Sequence, residues 1–181
     1  KIIFLSNIYN IFILHYKFLQ RSVREQVLDL SPEQKLRAVQ FLQENYEPEN
    51  RFYRYDFFFD NCATRIRDMV EMVLGNQLQW EEETDPRDKT FRMLIDEYVY
   101  PIPWADFGID LALGSVIDKK ATEREKQFLP DYMEVAFSKA SIVGDGPSRP
   151  LVKSSSTVLK VESPISEGSL FSPYLLFWLI A

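Results

Sequence analysis

The run Tyr53-Arg54-Tyr55-Asp56-Phe57-Phe58-Phe59-Asp60-Asn61-Cys62 constrains this chain most, because its periodicity changes at one point. Aromatic residues alternate through Phe59, with Tyr53, Tyr55, Phe57 and Phe59 on one face, which reads as a strand. From Asn61 the spacing becomes helical, with Ile66, Met69, Val70 and Val73 as an apolar stripe and Gly75 as the stop. Cys62 sits at the junction, four residues before Ile66, and is expected to face inward with the stripe. Asp60 or Asn61 can cap this helix. A helix start carries partial positive charge and unpaired N–H groups. A thiol placed there ionises more readily, and the same N–H groups can hold an oxyanion. Catalysis therefore stands beside the plainer reading of Cys62 as a small packing residue.

The chain has 181 residues, a net charge of −6 and 46% hydrophobic residues. That suffices for one cored domain and argues against nucleic acid as a partner. The single cysteine excludes an internal disulfide, and no cofactor or metal site is expected. Asp56 and Asp60 share a strand face but lack a third ligand. Arg65 and Arg67 can bind an anionic headgroup or lie on a solvated helix face. A cysteine nucleophile needs a base, and the sequence has one histidine, His15, in an apolar stretch. His15 is not expected to pair with Cys62.

Elsewhere the pattern is helix-rich with a few strands, an α+β composition. Ser31-Pro32-Glu33-Gln34 is a capping box with Pro at N1, followed by Leu36, Val39, Leu42 and Tyr46 as a stripe. Asp85-Pro86 starts a helix with Phe91, Leu94, Ile95 and Tyr98 on one face. Trp104 to Leu113 is closed by Gly114, and Thr122-Glu123-Arg124-Glu125 opens a helix that Pro130 restarts or bends. Gly144-Asp145-Gly146-Pro147 reads as a turn, and Leu151-Val152 and Thr157 to Val161 as short strands.

Four segments follow. Residues 1–20 are apolar, either a packed element or a membrane or export segment, with Asn7, Asn10, His15 and Lys17 interrupting the run. Residues 21–161 form the domain, and 162–169 a polar linker. Residues 170–181 read as the first half of a transmembrane helix, or as a terminal helix docked on the core.

Arg21-Ser22-Val23-Arg24-Glu25-Gln26 and the run from Pro48 through Cys62 to Asp68 resemble the Lnb N-terminal periplasmic domain family. So do Asp106 to Gly114, Ile117 to Thr122, Phe128 to Tyr132 and Arg149 to Val152, which extends the resemblance over about residues 21–152. It implies a permuted papain-like fold, similar to the NlpC/P60-like cysteine hydrolases and acyltransferases, on the periplasmic side of the inner membrane. Cys62 matches the family cysteine. The family histidine belongs to an N-terminal motif that is not recognisable before Arg21, so the chain alone is expected to lack its base. The implied substrates are a phospholipid acyl donor and a lipoprotein amine. Two other readings stand beside this one: a non-catalytic envelope scaffold, and a peptidase or amidase of the cell wall.

Overall fold

The computed structural model describes residues 2–81, 88–100, 102–144, 146–161 and 173. In chain order the elements are α1 (Ile2–Phe18), β1 (Val23–Leu28), α2 (Pro32–Tyr46), α3 (Cys62–Leu74), β2 (Leu78–Gln79), α4 (Phe91–Val99), α5 (Pro103–Leu113), α6 (Glu123–Lys126), α7 (Pro130–Lys139), β3 (Ser141–Ile142), β4 (Arg149–Pro150) and β5 (Val152–Leu159). This is a mixed helix-and-sheet chain, in the α+β class. It divides into two units: residues 1–54, 66–81 and 134–164, and residues 55–65, 82–133 and 165–181.

In the first unit β1 pairs antiparallel with β5, from Val23 opposite Leu159 to Leu28 opposite Val152, with a register shift near each end. A two-stranded ribbon alone is marginal. Here α7 supports it, since Gln26 Nε2 donates to the Glu134 carbonyl at 3.0 Å and Arg24 pairs with the Glu134 carboxylate at 2.7 Å. A second small sheet has the order β2-β3-β4. Val70, Val73, Leu74, Phe137, Ala140, Ile142 and Leu151 are the buried apolar residues of this unit among the described residues.

The capping box at Ser31 forms as the sequence indicates, with Ser31 accepting from the Gln34 N–H and Gln34 returning to the Ser31 N–H. The stripe that follows does not pack. Leu36, Val39, Leu42 and Tyr46 are exposed, and Gln34 is the buried residue of α2. What anchors α2 is polar: Gln34 donates to Gln77 at 2.9 Å and Arg37 to the Val73 carbonyl at 3.3 Å. Ala38 and Phe41, both half-buried, share the inward face with Gln34, so the packed face of this helix is rotated away from the expected stripe.

In the second unit Phe91, Leu94 and Ile95 of α4 form a core with Ile117, Ala121, Phe128 and Leu129. Phe58 packs on it, its ring 4.8 Å from Phe91 and 5.2 Å from Phe128, edge to face. Thr90 caps α4 by accepting from the Met93 N–H. The expected start at Asp85-Pro86 lies outside the described residues. Tyr98, expected on the buried face, is half exposed and donates to Asp131 at 2.8 Å. Gly114 closes α5 at φ +61°, and Gly75 follows α3 at φ +53°, both in the region that favours glycine. The Thr122 capping box opens α6, and Pro130 restarts the chain as α7.

Among the described residues no helix is long and apolar enough to cross a membrane. The linker at 162–169 and the apolar run at 170–181 lie outside the described residues, apart from Pro173, which is helical and buried.

Asp96 gives this unit a pH dependence. Burial first, then the nearby Asp106 and Asp110 carboxylates, holds its carboxyl pKa above the ordinary value. The folded state therefore binds this proton more tightly than the unfolded state. The contribution is present below the unfolded value, about 3.9, and is lost as pH rises through the folded value. Asp96→Asn should raise the melting temperature at pH 7 and change it less at pH 4. Thermal melts at the two pH values check this, and an equal shift at both would contradict it.

Candidate functional site

The segment before Cys62 is not a strand. Residues 52–55 have no regular structure, and Asp56 and Asp60 form an isolated antiparallel bridge around the turn Phe57-Phe58-Phe59. The Asp56 carboxylate accepts from the Phe58 and Phe59 N–H groups, both at 2.9 Å. A short acidic side chain has captured the donors a ladder would need. Phe58 packs on the core, while Phe57 and Phe59 touch its edge, with ring centroids 5.7 Å from Phe128 and 6.0 Å from Phe91, and stay about half exposed.

The helix does open at Cys62, and Asn61 is its cap. Asn61 Oδ1 accepts from the Ala63 N–H at 2.8 Å and the Thr64 N–H at 2.9 Å. The Thr64 hydroxyl accepts from the Asn61 N–H at 2.8 Å. The Asn61 amide also donates to the Phe57 and Phe128 carbonyls, each at 2.9 Å. With all these bonds made, Asn61 is 4% exposed. Thr64 went unread in the sequence, although Asn61-x-x-Thr64 is spaced like a capping box.

Of the first four N–H groups of α3, Ala63 and Thr64 bond to the Asn61 side chain and Arg65 to the Asn61 carbonyl at 3.0 Å. The Cys62 N–H and Sγ make no hydrogen bond among the described residues. Cys62 is exposed, not inward-facing, and so is Ile66. The buried face of α3 runs instead through Ala63, Thr64, Arg67, Val70, Val73 and Leu74. The stripe expected from Ile66 and Met69 is thus rotated, because Asn61 fixes the first turn with Ala63 and Thr64 inside.

The two arginines part company. Arg65 grips Asp60 with both nitrogens, Nε to Oδ1 at 2.7 Å and Nη2 to Oδ2 at 3.0 Å. That bidentate pair ties the turn to the helix. Arg67 is 3% exposed and pairs with Asp68 at 2.6 Å, so it is not on a headgroup-binding face. Asp56 and Asp60 are each engaged as above, and no metal-holding group of His, Cys, Asp or Glu occurs among the described residues. His15 is exposed on α1, in the first unit, and Cys62 is in the second.

A second feature of this unit was illegible in the sequence. An apolar groove of about 350 Å³ is lined by Phe57, Ile95, Tyr98, Ile109, Leu113 and Leu129, among others.

Chemically, the arrangement presents a solvent-facing thiol on the first residue of a helix, next to one uncommitted backbone donor. The family model of the Lnb N-terminal periplasmic domain matches residues 1–97 of the 181, and the chain belongs to that family. The match takes in α1 and the whole of α3, beginning earlier and ending sooner than the residue-by-residue resemblance. No curated protein and no solved structure matches the chain.

Proposed function

We propose that this envelope-associated domain carries the nucleophile of a cysteine acyltransferase, with Cys62 as the residue acylated. The observation that carries the reading is Cys62 itself, exposed at the first helical position with its own N–H uncommitted. In the first half-reaction the Cys62 thiolate attacks the carbonyl carbon of a phospholipid ester. A C–S bond forms, the ester C–O bond breaks, and the lyso-lipid leaves as an alcohol after taking up a proton. The Cys62 N–H donates to the oxygen that gains charge. In the second half-reaction an uncharged lipoprotein amine attacks the thioester. The C–N bond forms, the C–S bond breaks, the thiolate returns, and the amine proton passes to a base. Family membership supports a periplasmic setting, and a cysteine opening a helix suits a permuted papain-like arrangement.

The reaction also needs a general base. We assign His15 no catalytic role. Acylation of Cys62 by an ester should be slow in the chain alone, and imidazole in the buffer should accelerate it about tenfold, part of the 10²–10⁴ a positioned base supplies. His15→Ala should leave the rate unchanged. A rate that collapses in His15→Ala would make His15 the base and overturn this division of labour.

One observation favours a second reading, a non-catalytic envelope scaffold: Sγ has no hydrogen-bonding partner among the described residues. Under that reading Cys62 is never acylated, with or without imidazole.

A further inference from the structure

The groove in the second unit has a volume of about 350 Å³, and no nitrogen or oxygen surfaces in its wall. Tyr98 contributes its ring, while its hydroxyl is engaged by Asp131 at 2.8 Å. A polar ligand would lose water here and regain no hydrogen bond. Water itself would find none of the two to four partners it needs. The chemistry that fits is a bare hydrocarbon chain. The mouth is open, since Phe57, Tyr98 and Ala112 are all solvent-exposed.

The groove is tied to the nucleophile through one side chain. Phe57 and Leu129 both line it. The Asn61 amide donates to the carbonyl of Phe57 and to that of Phe128, the residue before Leu129, each at 2.9 Å. Asn61 immediately precedes Cys62. The two backbone segments that build this wall are therefore pinned by the same residue that starts the Cys62 helix. We propose that the groove is the acyl-chain subsite of Cys62, holding the hydrocarbon tail of the donor lipid while its carbonyl carbon meets Sγ. The proposal rests on the reading of Cys62 as an acyl acceptor.

The test uses the full chain and two readouts. The first is binding of cis-parinaric acid, a fluorescent long-chain fatty acid, in the native chain, Cys62→Ala, Ala112→Trp and Ala112→Asp. Ala112 is exposed at the groove, so a bulky or charged side chain there obstructs the site with little demand on the core, and circular dichroism verifies folding. Binding should be saturable, unaffected by Cys62→Ala, and weakened about tenfold or more by either Ala112 variant. The second readout is acylation of Cys62 by p-nitrophenyl acetate and p-nitrophenyl decanoate. The native chain should prefer decanoate by about tenfold or more, and Ala112→Trp should remove that preference. Parinaric acid binding that is absent, or indifferent to both Ala112 variants, overturns the proposal; binding is absent too if another apolar segment of the chain fills the groove. Acylation with no chain-length preference overturns the groove and leaves the nucleophile standing. Parinaric acid binding with no acylation by either ester overturns the nucleophile, and with it the service this groove is proposed to perform.

Discussion

Replacing Asn61 by alanine should lower the melting temperature by about 6–12 °C. The residue does three jobs at once in a buried position. It caps α3 through two N–H groups, and losing such a cap costs about 1 kcal/mol. It also satisfies the Phe57 and Phe128 carbonyls, and leaving buried acceptors without a donor costs about 1–3 kcal/mol more. A total of about 3 kcal/mol corresponds to the stated shift at about 2–4 °C per kcal/mol for a chain of this size. Asn61→Asp keeps the cap but sets a carboxylate oxygen against the Phe57 and Phe128 carbonyl oxygens in a buried position, so it should melt no higher than Asn61→Ala. Thermal melts of the three proteins decide it. An Asn61→Ala protein that melts within about 2 °C of the native one, less than the shift for 1 kcal/mol, would mean that Asn61 does not hold this turn together.

The second large effect is on activity. With imidazole supplied as the base, Cys62→Ala should abolish acyl transfer to lipoprotein amines in reconstituted membranes. Stability should move by no more than about 0.5 kcal/mol, because the side chain is exposed and leaves no cavity. The pairing of full functional loss with an unchanged melt separates chemistry from packing. A Cys62→Ala protein with full transferase activity would end the nucleophile reading and leave the scaffold reading in its place.

Much of this architecture was legible because capping is local. Ser31 with Gln34, Thr122 with Glu125, and Asn61 ahead of Cys62 all mark helix starts within four residues of sequence, and each forms. Gly75 and Gly114 mark ends for the same reason, through the positive φ each adopts. What failed depended on distant partners or on competition between equals. β1 went unseen because Val23 to Leu28 alternates weakly and its partner, β5, begins at Val152. The aromatic run was misread because period-two alternation says nothing about Asp56, whose side chain diverts two backbone donors into a turn. The inward face of α3 was misassigned because the apolar count favoured Ile66 over Arg67, whereas the Asn61 cap sets the rotation and buries Arg67. The helix start at Cys62 was legible from the change of period, and the exposure of its side chain became visible only with the three-dimensional arrangement.

The central claim is that Cys62 accepts an acyl group, and intact-mass analysis tests it directly. The chain is incubated with dipalmitoyl phosphatidylethanolamine vesicles and imidazole, quenched in acid, and weighed before and after neutral hydroxylamine. The account predicts an increment of one palmitoyl group, mapped to Cys62, removed by hydroxylamine and absent in Cys62→Ala. No adduct, or an equal adduct in Cys62→Ala, would contradict it.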